Sequence, residues 1–408
     1  MVLYTEIEFL TNVDTKIAQK ALRRKSWAEA LDLWRQVLSV NPGSAEARAS
    51  LYICLRRMSG LPDAEYTLKE EPSFYPECVF VSAKHKFEVD SGNIIKSPGD
   101  WISFRSGCEA RRVESSMLDK DDRAGNLGIY QHVLPLLDED KTYCWELLEK
   151  IGFIEREVTF YSEYAEELSA LDSKASLTAD AIFRLSDTYH SIFMRLLPNI
   201  AKPEPSLQTA GEMAEKIFAI CSLTRKSNRI SEVSPNSISF DPDSFRHLMT
   251  ERPPALEGLP FNIRSVDSVL RSIQDELNEM PLVPCHNDLS FGNMLADVDG
   301  DEVHLRIIDW DGFGMNRLGV DLRGFLEVDE DFLGTFFTRL VNSLEQKLNR
   351  SGFAVGKREL ILSAFMAQFS FQSKIFLRTG DQSAAASAGR LLQGMLRFYC
   401  RKSESSLS

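Results

Sequence analysis

The residues best suited to chemistry lie in one stretch of the chain, Pro284–Glu327. His286, Asp288 and Asn293 follow one another there in the pattern His-x-Asp-x4-Asn, and Asp309 comes sixteen residues after the Asn. A carboxylate such as Asp288 can orient an incoming hydroxyl group and accept its proton. The amide oxygen of Asn293 and the carboxylate of Asp309 are the hard ligands that Mg²⁺ prefers. This set of groups is typical of phosphoryl transfer from a nucleotide.

A β-hairpin is predicted to bring these groups together. The Asp-Gly pair at 299–300 is a turn signal, and Val303–Ile308 has the alternating pattern of a strand that ends at Asp309. The hairpin therefore places the loop with the first carboxylate and the amide beside the strand end with the second carboxylate.

The motif resembles a known superfamily. His-x-Asp-x4-Asn, followed by a strand that ends in Ile-Asp-Trp, is similar to the aminoglycoside phosphotransferases and the choline/ethanolamine kinases, which share the protein-kinase fold. The sequence Cys-His-Asn-Asp-Leu most resembles the choline/ethanolamine kinase branch, since the aminoglycoside phosphotransferase branch more often has Gly where this chain has Asn287. The resemblance implies a two-lobed α+β fold, ATP and Mg²⁺ as cofactors, and a hydroxyl of a small molecule as the phosphate acceptor.

The resemblance also implies a role for each residue. Asp288 is the expected catalytic base, and the amide and second carboxylate described above are the expected metal ligands. His286 belongs to the same catalytic loop, which His286 and Asp321 are expected to brace. Asp311 matches an acidic position near the acceptor and is a candidate substrate contact.

Kinases also need a Lys on the third strand of the small lobe, held by a Glu on the next helix, to bind the nucleotide phosphates. Lys150 lies near the end of a predicted strand, and Glu157 is the candidate partner, with Glu163 and Glu166 as alternatives. No Gly-rich loop of the GxGxxG type is present, and the turn at 106–109 is the weak substitute. The missing loop leaves open the alternative of a pseudokinase that serves as a protein-interaction module.

The elements around these groups follow the order of a kinase-like small lobe and a mainly helical large lobe. Strands are predicted over 101–104, 129–137, 143–151, 182–185 and 191–197, with a helix over 155–168 and a hinge at 195–199. Long helices are predicted over 331–349, 358–379 and 384–400.

An internal period of 34 residues marks the N-terminal part. Ala30, Trp34 and Pro42 recur as Ala64, Leu68 and Pro76. This pattern resembles the second helix of a tetratricopeptide (TPR) unit. First helices are predicted over 16–25 and 46–59, and a third is predicted over 79–92. Such a short array usually needs support, so we expect it to pack on the next domain; a protein partner bound through these helices is the functional alternative.

Three domains are therefore expected: a TPR-like helical block over 1–95, a small lobe over 96–198 and a large lobe over 199–408. The 47 Lys and Arg against 60 Asp and Glu give a net charge of −13, which disfavours nucleic acid and suits a cationic small substrate. The seven cysteines form no CxxC pair, and neither a signal peptide nor a membrane-spanning run is recognised. We therefore expect a cytoplasmic protein without a membrane span.

Overall fold

The computed structural model describes residues 15–59, 76–82, 86, 95–106, 113–117, 126–138, 141–195, 200–225, 263–299, 302–326 and 334–405. These residues have a mixed α/β architecture that divides into two compact units. The first unit takes its described residues from 1–162 and 177–198, and the second takes them from 163–176 and 199–408. The expected domain boundaries after residues 95 and 198 stay predictions.

The first unit is built on a six-stranded antiparallel sheet in the order β1-β5-β6-β4-β3-β2. The strands are β1 Glu77–Val81, β2 Glu114–Met117, β3 Asn126–Asp138, β4 Lys141–Gly152, β5 Ala179–Arg184 and β6 His190–Arg195. The last four correspond to the strands predicted over 129–137, 143–151, 182–185 and 191–197. The sequence pattern therefore located the centre of this sheet.

One predicted element of this unit is wrong, and the predicted start of another is wrong. The strand expected over 101–104 is part of a helix, Pro98–Ser106, whose start is capped because the Ser97 hydroxyl accepts the backbone N–H of Asp100 at 3.1 Å. The helix expected over 79–92 does not begin at Val79, because residues 79–81 belong to β1, which pairs with β5; beyond residue 82, only Lys86 of that range is described. Tertiary pairing outweighs the local helical spacing there.

Among the described residues, the helices that precede β1 are α1 over 15–23, α2 Trp27–Val40 and α3 Ala45–Ser59. They match the predicted helices over 16–25 and 46–59, and Ala30 and Trp34 on α2 are fully buried. The second copies at Ala64 and Leu68 lie outside the described residues, so the TPR repeat stays a prediction. Side chains from these helices and from the sheet form one hydrophobic cluster. The helical block therefore packs on the sheet, as expected.

A buried ion pair joins the helices to the sheet. Arg56 of α3 donates from Nη1 to Oε1 of Glu149 on β4 at 2.8 Å, and both side chains are at most 1% exposed. The same carboxylate accepts the Ser191 hydroxyl at 2.7 Å and lies 3.1 Å from Nε2 of His132. The guanidinium carbon lies 4.5 Å from the ring centroid of Tyr130. Each oxygen of this buried carboxylate is thus hydrogen-bonded, as burial of a charge requires.

This network predicts a loss of stability in acid. Burial alone would raise the pKa of Glu149, but the charge of Arg56 and the hydrogen bond from His132 outweigh it and lower the pKa to about 2. Below about pH 4.5 the Glu149 carboxylate binds a proton in the unfolded chain but stays ionised in the folded chain. The free energy of unfolding therefore falls by roughly 3 kcal/mol between about pH 5 and pH 2. Urea unfolding at pH 7 and pH 3 should show a larger fall for the wild type than for Glu149→Gln. An equal fall in both would contradict the lowered pKa.

The second unit combines helices with short antiparallel ladders. Its helices are α4 Ala165–Leu171, α5 Leu207–Ser222, α6 Ile263–Asn278, α7 Thr335–Arg350, α8 Lys357–Thr379 and α9 Gln382–Ser405. Its strands are β7 Ile200–Ala201, β8 Leu282–Cys285, β9 Met294–Asp299, β10 Glu302–Ile307 and β11 Gly314–Arg317. α7, α8 and α9 correspond to the three long helices predicted near the C-terminus. The predicted hairpin strand corresponds to β10.

In the part of the chain that the structure describes, one helix, α8, is long and apolar enough to cross a membrane by length and composition, with a mean hydropathy of 1.3 over its most apolar 18-residue window. No such run was expected from the sequence. Since 67% of that window is buried inside the protein, α8 has the character of a core helix.

Candidate active site

Two antiparallel ladders bring the motif-bearing loops together. In the ladder of β8 and β11, Cys285 pairs with Gly314, and in the hairpin of β9 and β10, Met294 pairs with Ile307. The start of the loop from β8 to β9 is therefore paired with the end of the loop from β10 to β11, and the end of the first loop is paired with the start of the second. A further backbone bond from Ile308 N–H to the Asn293 carbonyl at 3.1 Å ties the two loops together.

The Asp288 carboxylate is held on both oxygens. Nδ2 of Asn293 donates to the Asp288 carbonyl at 2.7 Å and to its Oδ2 at 3.1 Å. Nη2 of Arg323 donates to its Oδ1 at 2.9 Å. The Asp288 side chain is 51% exposed, whereas Arg323 is 6% exposed and Asn293 only 3%. A fixed carboxylate open to solvent retains lone pairs that can accept a hydrogen bond from a hydroxyl group.

The second carboxylate lies at the end of the hairpin. Asp309 follows β10 and adopts a positive φ of 64°, which turns the chain into the short 3₁₀ segment Trp310–Gly312. An oxygen of its carboxylate lies within 4.8 Å of one from Asp311. These two carboxylates offer hard oxygens, the ligands that magnesium prefers, so the donor chemistry at this strand end suits the ion, while Asn293 as a further ligand stays a prediction.

His286 and Asp321 are placed as the bracing role requires. The carboxylate of Asp321 accepts the backbone N–H groups of His286 at 3.0 Å and Asn287 at 2.7 Å. Nε2 of His286 donates to the Ile308 carbonyl at 2.9 Å, and Nδ1 faces the N–H of Asp288 at 3.3 Å. Burial lowers the pKa of the imidazole, although Asp321 opposes this. Both ring nitrogens are thus engaged with the backbone of the two motif-bearing loops, and the bracing role itself stays a prediction.

Asn287, the departure from the phosphotransferase pattern, is a buried connector. Its Nδ2 donates to the carbonyls of Gly312 at 2.9 Å and Gly314 at 3.2 Å, and its Oδ1 accepts Nδ2 of Asn316 at 2.7 Å. Any Cβ at Gly312 would lie 2.5 Å from the carbonyl oxygen of His286, so only glycine permits this close approach. Four hydrogen bonds, counting one to the Cys285 carbonyl, therefore hold the Asn287 amide at the position where the other branch more often has glycine.

In the first unit, Lys150 and Glu157 form a buried ion pair between Nζ and Oε2. β4 ends at Gly152 and the next helix begins at Glu155, so this carboxylate lies in the first helical turn. The alternatives Glu163 and Glu166 are exposed. The structure thus brings together the pair that the sequence favoured, while its phosphate-binding role stays a prediction. Residues 107–109 and 196–199, parts of the predicted phosphate turn and hinge, lie outside the described residues.

Sequence reasoning missed two contributors to the site. Arg323 contacts the candidate base, and its only sequence signal is its position two residues after Asp321. Trp310 packs its ring 4.8 Å from that of His286 and donates from Nε1 to the Ser176 hydroxyl at 3.1 Å. Both contacts fix the loops rather than add a reactive group.

No family model and no curated relative matches this chain. Among solved structures, it is similar to an aminoglycoside phosphotransferase in complex with GDP and kanamycin, with 13% identity, a TM-score of 0.48, and coverage of 72% of this chain and 97% of that one. It is also similar to the choline kinase of Streptococcus pneumoniae (14%, TM-score 0.44, 78% and 100%) and to an ethanolamine kinase of Plasmodium vivax (13%, TM-score 0.43, 83% and 94%). Each TM-score is below 0.5, so these likenesses define neither the fold class nor the activity of this chain.

Proposed function

We propose that the protein is an ATP- and Mg²⁺-dependent phosphotransferase that acts on a hydroxyl group of a small molecule. The observation that carries this proposal is the half-exposed carboxylate of Asp288, held on both oxygens beside a second loop that presents Asp309 and Asp311. A kinase-like arrangement of two lobes belongs to the same proposal.

Each residue of the proposed site has a separate role in the transfer. Asp288 orients the acceptor hydroxyl and takes its proton at a carboxylate oxygen as the transfer proceeds. Asn293 and Asp309 would hold magnesium, which neutralises charge on the nucleotide phosphates when it is bound. Asp311 adds negative charge next to them and would favour a cationic acceptor, while Lys150 with Glu157 would bind phosphate oxygens.

An acceptor screen tests the proposal. ADP formation from Mg-ATP would be measured with choline, ethanolamine, glucose and kanamycin, and with water alone, using Asp288→Asn as the blank. We expect at least one acceptor to raise the rate of the wild type above that of the blank. No difference from the blank with any acceptor would favour the alternative, a pseudokinase with a protein partner on its N-terminal helices. We also propose a cytoplasmic location, on the basis of the scattered cysteines.

Replacement of Asp309 tests the metal site separately. Asp309→Ala should remove the magnesium-dependent part of the rise in melting temperature that ATP causes, because a ligand stabilises a protein only through its binding to the folded state. The matched control is Asp275→Ala, which removes an exposed carboxylate on α6. A magnesium-dependent rise of equal size in Asp309→Ala and the wild type would argue against the metal role.

A further inference from the structure

Arg323 lies in the 3₁₀ segment Val320–Phe325 and holds the residue proposed as the base at two points. Its Nε and Nη2 donate to the carbonyl oxygen of Asn287 at 3.0 and 2.8 Å. Nη2 also donates to Oδ1 of Asp288 at 2.9 Å. One planar guanidinium group therefore fixes both the peptide group that precedes Asp288 and the carboxylate itself.

The guanidinium is in turn held by helix α8. Its central carbon lies 4.3 Å from the ring centroid of Phe371, and Nη1 faces Oε1 of Gln368 at 3.4 Å. Stacking on the aromatic ring fixes the plane of the group, since a guanidinium has a rigid fork of donors. Because Arg323 is only 6% exposed, it has little freedom to move away.

We propose that Arg323 is a positioning residue, which fixes Asp288 in the orientation needed for transfer; this inference rests on the proposed function. The same 3₁₀ segment carries Asp321, which holds the backbone N–H groups of His286 and Asn287. Asp321 accepts hydrogen bonds from N–H groups of the catalytic loop, and Arg323 donates hydrogen bonds to oxygen atoms of the same loop. Four of the five N–H donors of Arg323 point at Asn287, Asp288 and Gln368, so we infer that it acts through Asp288 rather than on a substrate.

A positioning role predicts a particular kinetic result. A displacement of about 1 Å at a reacting group can cost on the order of 10²-fold in rate. With the best acceptor of the screen, or with water if none is found, Arg323→Met should lower kcat by about 10- to 100-fold while KM for ATP stays nearly constant. Arg323→Lys keeps the charge but lacks the fork, so its kcat should fall between those of the wild type and the Met variant. Arg271→Met, which removes an exposed arginine on α6 that pairs with Asp267, is the matched control.

Crystal structures of the wild type and both variants provide a second readout that needs no activity. In Arg323→Met we expect the Asp288 carboxylate and the 287–288 peptide group to leave their wild-type positions, and the Lys variant should show a smaller change. A kcat within twofold of the wild type, a faster rate, or an unmoved carboxylate would overturn the proposal. If the wild type forms no more ADP than Asp288→Asn, the proposed function fails, and the carboxylate positions alone then decide the role of Arg323.

Discussion

Asp288→Asn should lower the rate of phosphoryl transfer by about 10²- to 10⁴-fold, the range that a positioned general base contributes. The new amide keeps the shape of the side chain and one oxygen that can accept Nη2 of Arg323, but its NH2 group then faces Nδ2 of Asn293 and it cannot take a proton from the acceptor. The hydrogen bonds of Arg323 to the Asn287 carbonyl do not involve the changed group. Folding should therefore persist, with a loss of about 1–2 kcal/mol for the weakened ion pair and the lost hydrogen bond from Asn293, whose Nδ2 keeps its bond to the carbonyl of residue 288.

Binding and chemistry can be separated in this variant. The metal ligands proposed at Asn293 and Asp309 are unchanged, so Mg-ATP should raise the melting temperature as much as in the wild type. The control is Asp275→Asn on α6, which changes an exposed carboxylate away from the motif and should keep the full rate. A rate above about one-tenth of the wild-type value would show that Asp288 is not the base, whatever the result of the thermal measurement.

The parts of this site that could be predicted are those encoded locally. The loop motif spans only a few residues, and the Asp-Gly pair in the sequence predicted the hairpin, whose register pairs Asp299 with Glu302. Together they determine which side chains meet. Lys150 and Glu157 are seven residues apart and are joined by a very short connection, so their pairing was also within reach of the sequence.

The contacts that escaped prediction join residues far apart in the chain. Arg323 and Asp288 are separated by 35 positions, and Arg56 and Glu149 by 93. No local spacing predicts which buried arginine will meet which carboxylate. The helix that begins at Pro98 was predicted wrongly for a local reason. Trp, Ile and Phe at 101–104 have high strand propensity, but the capping residues before them favour a helix. At that position the helix cap, and not the strand propensity of the residues, determines the secondary structure.

Arg56→Met should lower the free energy of unfolding by about 3–5 kcal/mol, because it leaves the carboxylate of Glu149 buried without its countercharge. Urea unfolding would measure the loss. The double variant Arg56→Met, Glu149→Met removes both charges, and it should recover a large part of that loss although His132 and Ser191 lose an acceptor. The control Arg271→Met breaks an exposed pair and should cost less than about 1 kcal/mol.

The same variant probes what the N-terminal helices do for the sheet. Successive side chains on a strand point to opposite faces, so Glu149 faces α3 on one side while Lys150 faces Glu157 on the other. A loosened β4 should therefore disturb Lys150 and weaken the stabilisation by Mg-ATP, and the double variant should restore it. If the loss in the double variant equals the sum of the losses in Arg56→Met and Glu149→Met, the ion pair does not couple helix and sheet. An unchanged response to Mg-ATP in Arg56→Met would mean that the helices cover the sheet without positioning Lys150.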